Sequence, residues 1–465
     1  MPLGAVTLVR GAAWTKDDVI LLGTTRHMFS IPATGGTTKM VVPLDTAHGE
    51  ESQRYPLVLD DGETVVFTSW HGNVAASQLG VLTRSTGKVR FLDLPGSTCP
   101  LAVVEGKLIY ASATGSLMAV PFDARSARVT GAPVPVLDGV SLNPVNGGVA
   151  AAISANGSLV YQTGVSTSQL VLAELNGRAE VVVSEAKNYS FPRFSRDGKR
   201  IAFGVTTTTS TDVWLYDIAA RTPTRLTSEG SADRPEWTPD GKRVLYYATG
   251  RRDQRAGALW WQPSDGSGTA ELVQVNPRSG VNEGVISPDG HILAYRLNGG
   301  GVTEDLWYRR LDGDTASKQI TATRFQEHAP RFSPDGRWMA YTSDQSGTFE
   351  VYVQAFPALG ARIQVTAGGG QTPIWSSDGR HIYYVANGQM NVATVTTTPT
   401  FAVTSRQRLF EGNYTFGTPV HAQFDIAPNG QHILLIRPTT ADAQTFIVHD
   451  WKYELRERTA TAKSK

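Results

Sequence analysis

The chain has 465 residues, 40% of them hydrophobic, with 46 glycines and 25 prolines dispersed along it, a composition that suits many turns and few long helices. Lys and Arg number 43 against 42 Asp and Glu, so the net charge of +1 supplies no global field for nucleic acid or an anionic membrane. Cys99 is the single cysteine, which excludes an intrachain disulfide and a thiolate metal cluster. The longest apolar stretches fall far short of the ~18 residues that span a bilayer. Residues Met1 to Arg10 have neither the basic start nor the apolar length of a secretory signal, so the expectation is a chain without an export address.

One pattern recurs along the chain: a short apolar strand, a tight turn built on Asp-Gly or Asn-Gly, and a nearly continuous apolar strand. It opens at Gly11 to Leu22 without the turn glycine. It returns at Pro56 to Ser69, in shortened form at Val103 to Tyr110, and at Ile153 to Tyr161. Six more regular copies follow, with turns at Asp197-Gly198, Asp240-Gly241, Asp289-Gly290, Asp335-Gly336, Asp378-Gly379 and Asn429-Gly430. In Arg331 to Ser343, Pro334 presets φ for the turn, Asp335 hydrogen-bonds its backbone and Gly336 takes the φ > 0 position. A third, aromatic strand follows each pair, as in Asp212-Val213-Trp214-Leu215-Tyr216, and then a polar fourth, as in Arg362-Ile363-Gln364-Val365-Thr366.

Turns spaced roughly 40–50 residues apart, with no helical periodicity, predict an all-β protein: a β-propeller of four-stranded blades. The last copy offers strands near 423–426, 432–436 and 445–451 and lacks a fourth. Two segments could supply it, Arg178 to Val183 or Ala5 to Val9. The first closes a six-bladed ring and leaves four repeats over; the second closes a single ten-bladed ring, outside the usual range of 4–8. The division expected is a partial N-terminal propeller of four repeats over 1–168, a six-bladed ring over 169–455 and a disordered tail over 456–465.

The repeat signature, which stands as Ser195-Arg196-Asp197-Gly198-Lys199-Arg200-Ile201-Ala202-Phe203 and again from Ser287 and Ser333, resembles that of TolB-type, WD-repeat-like propellers. Phe349 to Pro357, Gln364 to Gly370, Pro373 to Gly379, Leu409 to Tyr414 and Leu117 to Asp123 also resemble the C-terminal propeller region of bacterial serine/threonine protein kinases. That resemblance implies an extracytoplasmic sensor, with an upstream kinase domain as its partner, and a first propeller that has lost its opening blades. The kinase motifs themselves, a Gly-rich loop before a V-A-I-K strand, H-R-D and D-F-G, are not found in the sequence.

Other chemistry finds little support. No serine has glycine at both −2 and +2, as the nucleophile elbow of a prolyl-oligopeptidase-type hydrolase requires. The nine histidines form no H-x-x-x-H pair, and Asp312-Gly313-Asp314 and Asp60-Asp61-Gly62 lack the other oxygen ligands of a calcium loop. No enzyme activity, metal or cofactor is therefore expected. Trp260-Trp261, Trp307-Tyr308 and Tyr383-Tyr384 read as blade-to-blade core.

The candidate site is the set of loops just before each inner strand, which in a propeller converge at one end of the central channel. The polar residues there are Asp233, Asn282, His328 and Gln371, with Arg234, Glu283, Glu327 and His421 beside them. A concave mouth with a few convergent polar groups is the default place for a ligand. The expected function is non-catalytic binding of a peptide, protein or small molecule, with a protein-docking scaffold as the alternative.

Overall fold

The computed structural model describes residues 9–143, 146–163, 167–207, 210–249, 257–276, 280–298, 304–417, 420–439 and 444–461. Its regular secondary structure is nearly all antiparallel sheet. The chain divides into two compact units: one holds residues up to 166, 207–209 and those from 440 onward, and the other holds 167–206 and 210–439.

The second unit consists of six four-stranded sheets. The inner strands of its first five blades lie in Ala179–Phe194, Ala232–Trp237, Val281–Ile286, Glu327–Phe332 and Gln371–Trp375. The sixth blade begins with Phe424–Ile426 and His432–Pro438. Its third strand is Ser168–Glu174, paired antiparallel with the second from Ser168↔Pro438 to Glu174↔His432. Its fourth is the front half of Ala179–Phe194, whose back half starts the first blade. One long strand thus belongs to two blades, and the ring closes by joining the two ends of this unit.

The third strand corrects the sequence expectation. Thr445 to Trp451 is not part of this blade; Gln444–Val448 pairs instead with Leu159–Thr163 in the first unit. Burial explains the choice. Leu170, Val171 and Ala173 are fully buried, as a strand between two others must be, whereas the 444–448 strand is largely exposed. The ten-bladed alternative falls with this pairing; of its donor Ala5 to Val9, all but Val9 lie outside the described residues.

Apolar clusters fill every interface of the ring. Leu434 and Ile436 of the sixth blade meet Ile201 and Phe203 of the first, and Ile433 and Leu435 on the opposite face meet Tyr383 and Val385 of the fifth. Four further clusters join the first to the second, the second to the third, the third to the fourth and the fourth to the fifth. Side chains alternate across a strand, so a second strand packed between two neighbours must be apolar at every position. This accounts for runs such as Trp338-Met339-Ala340-Tyr341.

The turns of the first five blades close in the same way, whereas the sixth has Ala427 and Asn429 in place of the hydroxyl and the aspartate. Ser333 Oγ donates to Asp335 Oδ1 at 2.5 Å and accepts from Trp338 N–H at 3.0 Å, while Gly336 sits at φ 72. Ser195, Thr238, Ser287 and Ser376 repeat the hydroxyl-to-aspartate bond.

The first unit has three sheets of four or five strands and a fourth made of Ala151–Ile153, Leu159–Thr163 and Gln444–Val448. Of the disordered tail expected over 456–465, residues 456–461 belong instead to a helix, Lys452–Thr461, and 462–465 lie outside the described residues. Trp451 and Leu455 anchor it, buried against Ile109, Leu117 and Leu159. No described helix is long and apolar enough to cross a membrane.

Candidate functional site

The inner strands of the ring share a bulge. In four blades the residue before the strand proline adopts a left-handed backbone: Phe191 (φ 49), Arg234 (φ 53), Ala329 (φ 51) and Thr372 (φ 54). Proline disfavours the right-handed helical conformation for its predecessor, and a positive φ in a non-glycine residue is strained, so the sheet on either side must impose it. The ladder skips accordingly, from Ser190↔Gly204 to Arg193↔Ala202 and from His328↔Thr342 to Arg331↔Ala340. Such bulges re-aim side chains. The residue after each proline, Arg193, Glu236, Arg331 or Ile374, then lines a cavity of about 280 Å³ at the centre of the ring.

The residues expected at the channel mouth lie at the other end of the same strands. Asp233 accepts from Ser190 Oγ at 2.9 Å, and Arg234 donates to the Asn282 carbonyl at 2.6 Å with its guanidinium over Phe191 and Tyr247. Glu283, Glu327, His328 and His421 are only 1%, 0%, 2% and 1% exposed, so they are packed interior and do not line an open mouth. Glu327 accepts from Thr323 and Ser343. Gln371 is half-buried at the start of its strand, paired in register with Val385.

Glu283 and His421 join a charged network that also includes residues not singled out from the sequence. Glu283 accepts from Arg296 Nε at 2.9 Å, from Ala329 N–H at 2.9 Å and from His421 Nδ1 at 2.7 Å. Arg296 also bonds Glu304, and His328 Nδ1 lies 3.1 Å from the same carboxylate. Glu236 Oε1 accepts from Arg193 Nε at 2.7 Å and from Arg331 at 2.6 Å, and His421 Nε2 is 3.4 Å away. Arg193 is fixed by three carbonyls as well, those of Pro192, Ala422 and Phe424.

Burial by itself would raise the pKa values of Glu236 and Glu283. The guanidinium groups of Arg193 and Arg331 for the first, and Arg296 with His421 for the second, outweigh it and hold both well below the usual carboxylate range. Glu304 is lowered in the same way, burial being overcome by Arg296. Burial keeps the His421 imidazole below its ordinary value, against its hydrogen bonds to Glu236 and Glu283. The charges agree with a neutral ring: three guanidinium groups already balance three carboxylates. Asp425, on the sixth blade, is pushed up to about 6 by burial, despite Arg193 nearby.

The cavity runs from this network toward the turns. Its charged lining is Arg193, Arg196, Arg331, Glu236 and Asp425, and its apolar walls include Ile374 and Trp375. Trp237 Nε1 donates to the Arg193 carbonyl at 3.1 Å and Trp375 Nε1 to that of Arg331 at 3.3 Å, so both indoles offer the cavity only apolar surface. Among the described residues no three His, Cys, Asp or Glu side chains are placed to hold a metal ion. The sequence expectation rested on the loops just before the inner strands. The available signal was one residue after the strand proline, where Arg, Glu and Arg recur at a position that an inner strand would ordinarily fill with an apolar side chain.

Six closed blades around a polar channel make this unit a β-propeller, and part of the chain is similar to a TolB propeller domain. The sequence pattern described as the TolB beta propeller domain matches residues 269–452. Among curated proteins, the chain is 22% identical over 209 residues to a protein named uncharacterized peptidase YuxL of Bacillus subtilis (strain 168), covering 35% of this chain and 31% of that protein. It is 32% identical over 103 residues to dipeptidyl-peptidase 5 of Porphyromonas gingivalis, covering 20% and 15%. The chain thus spans a third or less of the length of these relatives. Among solved structures, a putative TolB from Agrobacterium tumefaciens aligns over 60% of this chain and all of its own, with 17% identity and a TM-score of 0.47.

Proposed function

We propose that this protein is a non-catalytic binding module whose ligand enters the central cavity of the six-bladed ring from the turn end. The cavity supports this reading. It is concave, about 280 Å³, and it combines apolar walls with a few fixed charges, the usual make-up of a ligand site. A finer reading, that the module senses its ligand for a serine/threonine kinase, is supported only by the resemblance of 117–123, 349–357, 364–370, 373–379 and 409–414.

The test is a titration of the full chain, labelled at tryptophan nitrogen, with low- and high-mass fractions of extract from its own organism. Shifts at the Trp237 and Trp375 indoles are expected. A fraction that binds and moves neither indole would favour docking on the outer faces instead. The two peptidase names among the relatives motivate a second reading, a propeller that serves a peptidase. Hydrolysis of a peptide mixture by the purified chain would overturn the non-catalytic proposal.

A further inference from the structure

The cavity has a broken internal symmetry. Pro192-Arg193-Phe194-Ser195 is followed 43 residues later by Pro235-Glu236-Trp237-Thr238. Pro330-Arg331-Phe332-Ser333 is followed 43 residues later by Pro373-Ile374-Trp375-Ser376. The two pairs occupy the first and second blades and the fourth and fifth, opposite one another in a ring of six. In both, the tryptophan indole donates to the carbonyl of the arginine on the preceding blade. The correspondence fails at one position. Arg193 meets Glu236 on its neighbouring blade at 2.7 Å, whereas the matching neighbour of Arg331 is Ile374.

Arg331 compensates in part by reaching across to the carboxylate that Arg193 already holds. Within the chain it commits two of its five N–H donors, to Glu236 and to the Pro330 carbonyl. The cavity lining carries three guanidinium groups, Arg193, Arg196 and Arg331, against two carboxylates, Glu236 and Asp425. Arginine takes a carboxylate through two parallel bonds when its fork is free to do so. Beside it, Ile374, Phe332 and Trp375 form an apolar wall.

We propose that the cavity binds a carboxylate carried on an apolar stem, which takes beside Arg331 the place that Glu236 takes beside Arg193. This rests on the reading of the cavity as the ligand site and names the ligand's chemistry. A peptide C-terminus and a small organic acid share that chemistry.

The experiment titrates the full chain at pH 7.5 with four probes, read by tryptophan fluorescence and calorimetry. They are 3-phenylpropionate, its amide, N-acetyl-Gly-Phe with a free C-terminus, and the same dipeptide amidated. At least one acid is expected to bind, at least tenfold more tightly than its amide. Binding of the dipeptide acid alone assigns a peptide terminus; equal binding of both acids, or of phenylpropionate alone, assigns a small acid. I374E places a carboxylate where the ligand's would sit, and it should remain folded and abolish acid binding. Should I374E not fold, R331K, which keeps the charge and loses the fork, should weaken acid binding at least tenfold. Equal binding of acid and amide, or acid binding that survives a folded I374E or an R331K, overturns the carboxylate proposal and leaves the cavity as a ligand site. Failure of all four probes also overturns it, while the ligand-site reading is decided separately by the extract titration.

Discussion

Arg331 donates to Glu236 Oε1 at 2.6 Å from two blades away, onto the same oxygen that Arg193 Nε reaches at 2.7 Å. One carboxylate therefore bridges two guanidinium groups, and all three side chains are almost wholly removed from solvent. Removing one partner of a buried ion pair leaves the others charged and uncompensated, which costs about 3–5 kcal/mol. Glu236→Gln should destabilise the ring by about that amount. Arg331→Met should cost less, because Glu236 keeps Arg193. Urea denaturation of the two variants checks the order; an equal loss would mean that Arg193 alone does not satisfy Glu236.

The same end of the channel should give stability a pH dependence. Asp425 has an ordinary value of 3.8, and burial raises it to about 6 in the folded chain. Between those values the folded chain holds a proton that the unfolded chain has released. This stabilisation is complete below about pH 4 and is lost as pH rises through 6. Above that, the ionised buried carboxylate costs up to about 3 kcal/mol at 1.36 kcal/mol per pH unit. Asp425→Asn removes the charge and keeps an oxygen to accept from Phe194 N–H, which Oδ2 now does at 2.8 Å. Its melting temperature should exceed that of the unmodified chain at pH 8 and approach it at pH 4. A difference that does not change with pH would contradict the assignment.

Two glycines separate conformational strain from steric overlap. At Gly336 an added Cβ meets nothing closer than Pro288 Cδ at 3.8 Å, so only its φ of 72 resists substitution, and Gly336→Ala should cost about 1 kcal/mol. Gly204 has no unusual φ, but a Cβ there would overlap Ser190 Oγ and Asp233 Oδ1, which are hydrogen-bonded to each other. Gly204→Ala should therefore cost about 1–3 kcal/mol and separate that pair. Thermal melting ranks the two; the reverse order would count against the packing around Asp233.

The blades were legible in the sequence because their signal is local. The hydroxyl, aspartate and glycine of the turns in the first five blades lie within four residues, and the apolar run that follows reports burial on both faces. Ring closure was only half legible. Arg178 to Val183 reads as a fourth strand, but the strand between it and the last blade, Ser168–Glu174, pairs with residues more than 250 positions away and has no turn motif beside it. The channel was least legible. Choosing the polar residues of the loops before the inner strands assumes regular strands; the bulge at Phe191, Arg234, Ala329 and Thr372 instead brings the residue after the proline into the cavity. Arg296 faces Glu283 across a strand pair within the third blade, while Glu304 on that blade's third strand meets His328 of the fourth only once neighbouring blades pack.

The C-terminal helix supplies the last test. The 167–439 unit stands in sequence between Leu159–Thr163 and the Gln444–Val448 strand that pairs with it, so the first unit's fourth sheet waits for the end of the chain. Trp451 is 1% exposed and Leu455 fully buried in the cluster with Ile109, Leu117 and Leu159. Truncating a buried tryptophan to alanine costs about 3–5 kcal/mol. Trp451→Ala should lower hydrogen-exchange protection over 107–123 and 151–163, and leave protection over 243–263 in the ring unchanged. Deleting residues 449–465 should do the same more severely. Equal loss in both regions would mean that the two units unfold as one. No loss in the first region would mean that the helix adds nothing to its core.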